Sequence, residues 1–285
     1  MALNPIVVVI APGEMGAAVG GRLHESGVEV RTSLAGRSAK SIERAKRHGL
    51  VPVDNDAELV ADAQFVLSIV PPADAVALAR RLAPALAKSR TKPIYVDCNA
   101  VSPPTKIKIG SAVMKAGAPF VDVAILGLPP RPGSDGPAMI ASGPECGQFV
   151  PLGEFGLKIR TIDGPVGAAS ALKMSYAGIT KGITAVGSMM LLAAMRAGIE
   201  KELRAELERS HPAFVANFKR AVPDMFGKAY RFVGEMEEIA DFVGEDAAAK
   251  TMYLAFAEFY ARIAEDFDGK KEEVGALANF LDQKS

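Results

Sequence analysis

Hydrophobic and polar positions follow two regimes along the chain. Up to about residue 163, short apolar runs rich in β-branched residues alternate with longer stretches of helical period. Strands are expected at 7–10, 28–33, 51–53, 64–70, 94–98, 120–125 and 138–142, with helices at 15–26, 39–48 and 75–87 between the earlier ones. Alternating strands and helices predict a parallel sheet wound on both faces. From residue 168 no strand pattern recurs. Helical periods at 168–197, 201–208, 213–222, 226–242, 246–267 and 272–281 are broken by Gly and Pro. The expected division is an α/β unit at 1–163 and an all-α unit at 164–285.

The first strand, IVVVI, runs directly into Ala11-Pro12-Gly13-Glu14-Met15-Gly16 and then a helical stretch. This strand–turn–helix is a degenerate form of G-x-G-x-x-G, with Ala11 at the first glycine. Gly13 allows close approach of phosphate oxygens, and Gly16 allows tight helix–strand packing. The helix N-terminus then offers free N–H groups and a positive dipole end to a pyrophosphate. The α/β half is therefore read as a Rossmann-type, doubly wound, mostly parallel sheet. Residues 11–16 are assigned to the dinucleotide, with Val70 and Pro71 at the end of the fourth strand.

The second strand ends in Thr32-Ser33-Leu34-Ala35-Gly36-Arg37-Ser38-Ala39-Lys40, with no carboxylate. An NAD-selecting fold places an acid there against the ribose 2′-hydroxyl. Arg37, Ser38 and Lys40 instead offer a guanidinium, a hydroxyl and an ammonium to a 2′-phosphate, so NADP is expected over NAD.

Composition narrows the partners. The 33 basic and 33 acidic residues among 285 cancel, without a long run of one sign, which argues against nucleic acid and anionic membranes. No apolar stretch is read as a membrane span, and the opening run lacks the features of a secretory leader. Two cysteines and three scattered histidines show no metal-ligand spacing, so neither a metal site nor disulfides are expected and the compartment is read as cytoplasmic. Cys98 is read as a small core residue.

The segments APGEMG (11–16), DCNAVSP (97–103), FVDVAILG (120–127) and GPVGAASALKMSYAG (164–178) resemble the β-hydroxyacid dehydrogenase and 6-phosphogluconate dehydrogenase superfamily over nearly the whole chain. Within it the chain resembles a branch with a distinctive C-terminal helical domain. The resemblance implies a nicotinamide dinucleotide, a small-molecule substrate, and a homodimer through the helical domain. It also implies that Lys173 is the general base in alcohol oxidation and the general acid in carbonyl reduction. Burial and a nearby cation would bring a lysine amine toward the working range of such a catalyst.

Several positions depart from the family pattern. The asparagine one turn after the lysine is Ala177 here. Tyr176, with Thr180, is expected to supply the lost hydrogen bond, since Lys173, Tyr176, Thr180 and Thr184 share a helix face. Asn99 is expected to hydrogen-bond near the nicotinamide or substrate. The family's Ser-Gly-Gly substrate clamp reads Leu126-Gly127-Leu128, which implies a less polar substrate portion. Arg131 is read as solvated. A second family lysine aligns with Glu237. The expected activity is hydride transfer between NADP and a small hydroxy acid or its carbonyl counterpart. An imine reductase and a non-catalytic dinucleotide-binding sensor are the competing readings.

Overall fold

The computed structural model describes residues 4–282. Strands β1 (Ile6–Ile10), β2 (Glu29–Thr32), β3 (Val51–Pro52), β4 (Phe65–Ser68), β5 (Ile94–Asp97), β6 (Phe120–Leu126), β7 (Ala138–Ser142) and β8 (Lys158–Thr161) form one sheet. Their order is β3-β2-β1-β4-β5-β6-β7-β8, and every ladder is parallel except β6–β7. The antiparallel ladder arises because an 11-residue surface loop, too short for a crossover helix, joins β6 to β7. β8 was not expected: its KIRT sequence is mostly exposed and carries no apolar run.

Alternate residues of each strand face opposite sides, and each side buries its own core. Val7, Val9, Val30, Leu67, Val96 and Val123 pack with α1 (Glu14–Glu25) and α2 (Ala39–Arg47). Val8, Ile10, Val66, Tyr95 and Phe120 pack with α3 (Asp56–Val60), α4 (Pro72–Lys88) and α5 (Pro103–Lys115). Helices α3 and α5 escaped the sequence reading. The first is only five residues long, and the second opens on two prolines that read as a breaker.

The remaining helices are α6 (Ala168–Ala197), α7 (Glu200–Ser210), α8 (Pro212–Phe226), α9 (Ala229–Phe242), α10 (Ala247–Asp268) and α11 (Glu272–Asp282). The chain divides into two compact units, Met1–Met174 and Ser175–Ser285. The division falls later than 163/164 because the first turns of α6 are tied to β6 and β7 by hydrogen bonds described below.

In the second unit the glycines of α6 seat aromatic rings. A Cβ on Gly187 would lie 2.3 Å from Phe218, and one on Gly178 would lie 2.8 Å from the Tyr253 hydroxyl. Phe256, Phe259 and Tyr260 of α10 are buried in the core of this unit. Lys181 pairs with Glu235 and lies 4.0 Å from the Phe232 ring centroid, and burial holds its amine below the usual lysine range.

Helix α6 also corrects an expectation. By length and composition it is apolar enough to cross a membrane, although 50% of its most apolar window is buried inside the protein. Its many alanines and glycines add no polar side chain, which keeps the helix apolar along most of its length.

Candidate active site

Parallel strands bring their C-terminal ends to one edge, where the candidate segments meet. The amide of Ala11 donates to the carbonyl of Ile69 at 3.1 Å, and the amide of Cys98 donates to Ser68 at 2.9 Å. The exits of β1, β4 and β5 are thereby bound side by side.

The residues of α1 fit a dinucleotide phosphate. Ser38, Asn55 and Ser102 cap α2, α3 and α5 with side-chain oxygens, whereas among the described residues no side chain caps α1 at Gly13. The first amides of a helix have no intrahelical partner, so those of α1 remain for an anion. A Cβ built on Gly13 meets no atom within 4 Å, which leaves open space at the turn. At Gly16 a Cβ would lie 2.0 Å from the carbonyl oxygen of Ala11, so only glycine fits there. Ala11 and Pro12 are buried in the turn, Glu14 is exposed, and Met15 is half-buried against the α1-side core. Pro71 serves as the N-cap of α4.

At the end of β2 the Ser38 hydroxyl accepts from the amide of Ser41 at 3.3 Å and lies 3.2 Å from the Ser41 hydroxyl. Arg37 is half-buried beside this cap, Lys40 is exposed, and the first turn of α2 carries no acid.

Asn99 lies just beyond the end of β5. It is buried, and its side-chain amide donates to Ser68 Oγ and Asp97 Oδ2, both at 2.8 Å. Its Oδ1 accepts from the amide of Val70 at 2.7 Å. Both amide protons thus join the ends of β4 and β5. Its effect is to shape the Val70 turn.

Lys173 lies in the second turn of α6, and its Nζ donates to the carbonyl of Ile125 on β6 at 2.9 Å. The amine is therefore brought to the exit of β6 within the same unit as the dinucleotide turn. Leu126, expected to meet substrate, is half-buried against Ala124, Ile140 and Ala169. Gly127 has φ of +126°, a backbone state that excludes most side chains, and Leu128 is exposed. The rest of the loop is drawn onto α1 and β8. Arg22 donates to the carbonyls of Arg131 and Ser134, and Lys158 pairs with Asp135 at 2.6 Å. The Arg131 side chain is exposed, as expected.

Further along α6, Tyr176 is exposed and Thr184 is buried. The Thr180 hydroxyl donates to the carbonyl of Tyr176 at 2.9 Å, so its proton is engaged by the helix itself. Cys98 is buried, with burial pushing its thiol far above the usual range, in keeping with a core role.

Residues 7–146 match the NAD binding domain of 6-phosphogluconate dehydrogenase, and residues 194–263 match a domain of unknown function (DUF1932). An uncharacterized 28.5 kDa protein of Methanothermus fervidus is 34% identical over 217 residues, which is 76% of this chain and 82% of the relative. The solved structure of a conserved protein of unknown function, described as structurally similar to 3-hydroxyacid dehydrogenases, is 32% identical. It covers 92% of this chain and 97% of its own, with a TM-score of 0.68.

This chain belongs to the 6-phosphogluconate dehydrogenase and β-hydroxyacid dehydrogenase superfamily.

The superfamily fold extends to a Mycobacterium tuberculosis 3-hydroxyisobutyrate dehydrogenase solved with L-serine. It is 17% identical over 99% of this chain and 100% of its own, with a TM-score of 0.71.

Within this superfamily member the sequence reading missed a buried polar row. Ser68, Asp97, Asp122 and Ser142 are register partners across β4, β5, β6 and β7, and all are fully buried. Lys106, from α5, pairs with Asp97 and lies 3.3 Å from Asp122. Burial alone would lower its ammonium, but the two aspartates and the bond to Asp97 outweigh that and raise it above the usual lysine range. The alternation in strands β5 and β6 placed these acids on one face. No sequence signal placed Lys106 over them, because α5 itself went unread.

Proposed function

We propose that this protein is an NADP-dependent oxidoreductase that transfers a hydride between the nicotinamide and a small hydroxy acid, or its carbonyl counterpart. The observation that carries the reading is the amine of Lys173, held at the exit of β6 in the same unit as the uncapped turn of α1. The absence of an acid from the β2 exit, together with Arg37, Ser38 and Lys40, favours the 2′-phosphorylated dinucleotide.

When bound, the nicotinamide supplies the hydride acceptor for oxidation or the donor for reduction. In oxidation the neutral Lys173 amine takes the hydroxyl proton as the carbon loses its hydride; in reduction the ammonium returns that proton to the carbonyl oxygen. Tyr176, one helical turn on, offers the reacting oxygen a second hydrogen bond. The apolar Leu128 beside Gly127 favours a substrate with an aliphatic branch over a fully polar one.

The working form is a homodimer through α6. Ile179, Ile183, Val186 and Met190 are all exposed and recur at steps of four, three and four. That is the seam one helix offers to another of the same kind.

The deciding experiment follows absorbance at 340 nm with NADP or NADPH and a panel of 3-hydroxy acids, 3-oxo acids, aldehydes and cyclic imines. Turnover of a hydroxy acid that is lost in Lys173→Met supports the reading. Cyclic imine reduction in preference to all carbonyls, or no turnover alongside tight NADPH binding, overturns it.

A further inference from the structure

We propose that Asp122 is a positioning residue for Lys173: its carboxylate clamps the first turn of α6 to β6, so that the amine one turn on meets the main-chain oxygen of Ile125. The inference rests on the role of Lys173 proposed above and adds a residue to it.

Asp122 is fully buried in the middle of β6. Its Oδ2 accepts from the amides of Gly167 at 2.9 Å and Ser170 at 3.1 Å, and from the Ser142 hydroxyl at 3.1 Å. Its Oδ1 accepts from the Ser170 hydroxyl at 2.8 Å. The Ser142 hydroxyl in turn accepts from the amide of Ala169 at 2.9 Å. One carboxylate, helped by one hydroxyl, thus satisfies amides at the start of α6 and favours that helix end electrostatically.

The pairing has a regular geometry. Asp122 and Ile125 are three residues apart on β6, and their partners Ser170 and Lys173 are three residues apart on α6. Two points of the helix are fastened to two points of the strand, which fixes the helix's rotation as well as its distance. A rotation of α6 would carry the lysine amine off the β6 exit, and a misplacement of about 1 Å at a reacting group lowers turnover by roughly a hundredfold.

Lys106 completes the device. Asp97 and Asp122 are register partners facing the same side, so their negative charges oppose one another. The Lys106 ammonium pairs with Asp97 and lies 3.3 Å from Asp122, so it sits between the two charges and offsets their opposition.

The test uses the full-length protein with Asp122→Asn and Ser170→Ala. Asparagine keeps the shape but presents one side of its amide as a donor, and alanine removes a single bond to the carboxylate while leaving the amides in place. Both are expected to lower kcat, by about tenfold or more for Asp122→Asn, with KM and NADPH affinity changed less than about threefold and the pH profile of kcat displaced. A second readout needs no turnover. Lysines are acetylated with limiting acetic anhydride and quantified by peptide mass spectrometry, with exposed Lys219 as reference. Lys173 is expected to label about threefold or more faster in both variants. Should Asp122→Asn fail to fold, Ser170→Ala decides. Wild-type turnover and wild-type Lys173 labelling in a folded variant would overturn the inference. Faster labelling in a protein that turns over no panel member would retain Asp122 as the clamp and discard the hydride-transfer reading.

Discussion

The Nζ of Lys173 donates a 2.9 Å hydrogen bond to the main-chain oxygen of Ile125, tying the second turn of α6 to the last buried residue of β6. The bond anchors the amine at the exit of β6 through one of its N–H donors. Lys173→Met should lower kcat/KM by roughly a hundredfold to ten-thousandfold, the usual contribution of a positioned acid–base group. NADPH affinity by fluorescence titration should stay near wild type. Full turnover in this variant would remove Lys173 from the chemistry.

Gly13 and Gly16 should respond differently to the same methyl group. Gly13→Ala has open space and an ordinary backbone, with φ of −68°, so its melting temperature should match wild type. Its Cβ would project where phosphate approaches, and NADPH affinity should fall by about tenfold or more. Gly16→Ala meets the Ala11 carbonyl and should cost about 1–3 kcal/mol of stability by urea denaturation. Tight NADPH binding by Gly13→Ala would place the dinucleotide elsewhere.

Arg37→Ala tests the cofactor preference. Loss of one charge-assisted contact should weaken NADPH by roughly tenfold and leave NADH unchanged, bringing the two affinities together. Equal losses for both dinucleotides would show that Arg37 does not read the 2′-phosphate.

Lys106→Met should cost about 3–5 kcal/mol, because it leaves Asp97 and Asp122 buried and opposed. The pH dependence follows from the raised amine. Its stabilisation is complete below the ordinary lysine range and is lost as pH climbs through the higher folded value. Wild type should therefore lose stability steeply on strong alkalinisation. The Lys106→Met curve should lack this component, as denaturation series at increasing pH would record.

Ile179→Glu and Met190→Glu place charges on the exposed stripe of α6. Sedimentation should show a wild-type dimer and variants shifted toward monomer, with helical content retained. An unchanged mass in both would move the interface off this stripe.

The chain's periodicities carried most of the architecture. Short continuous apolar runs marked β1, β4, β5, β6 and β7, because strands buried on both faces are nearly continuous in apolar residues. The helical period over 168–197 marked one long helix, and its bounds agree with the structure. Where that signal was weak the reading lapsed. Exposed β8, five-residue α3 and proline-led α5 bury too little, or open too irregularly, to be seen in one dimension.

The candidate site divides the same way. Glycine at 13 and 16 and the missing acid after β2 are local chemistry, legible from residue types at fixed spacing, whereas the role of Lys173 is what the resemblance to the superfamily implies. The spending of Asn99's amide protons, and the meeting of Asp97, Lys106, Asp122 and Ser170, are not. Those residues lie on different strands and helices, and whether a polar group is free or committed depends on which neighbours the packed sheet places within hydrogen-bond reach. Sequence by itself determined which groups could do chemistry; tertiary structure decided which of them are committed to holding the fold, because burial drives most polar atoms to find a partner.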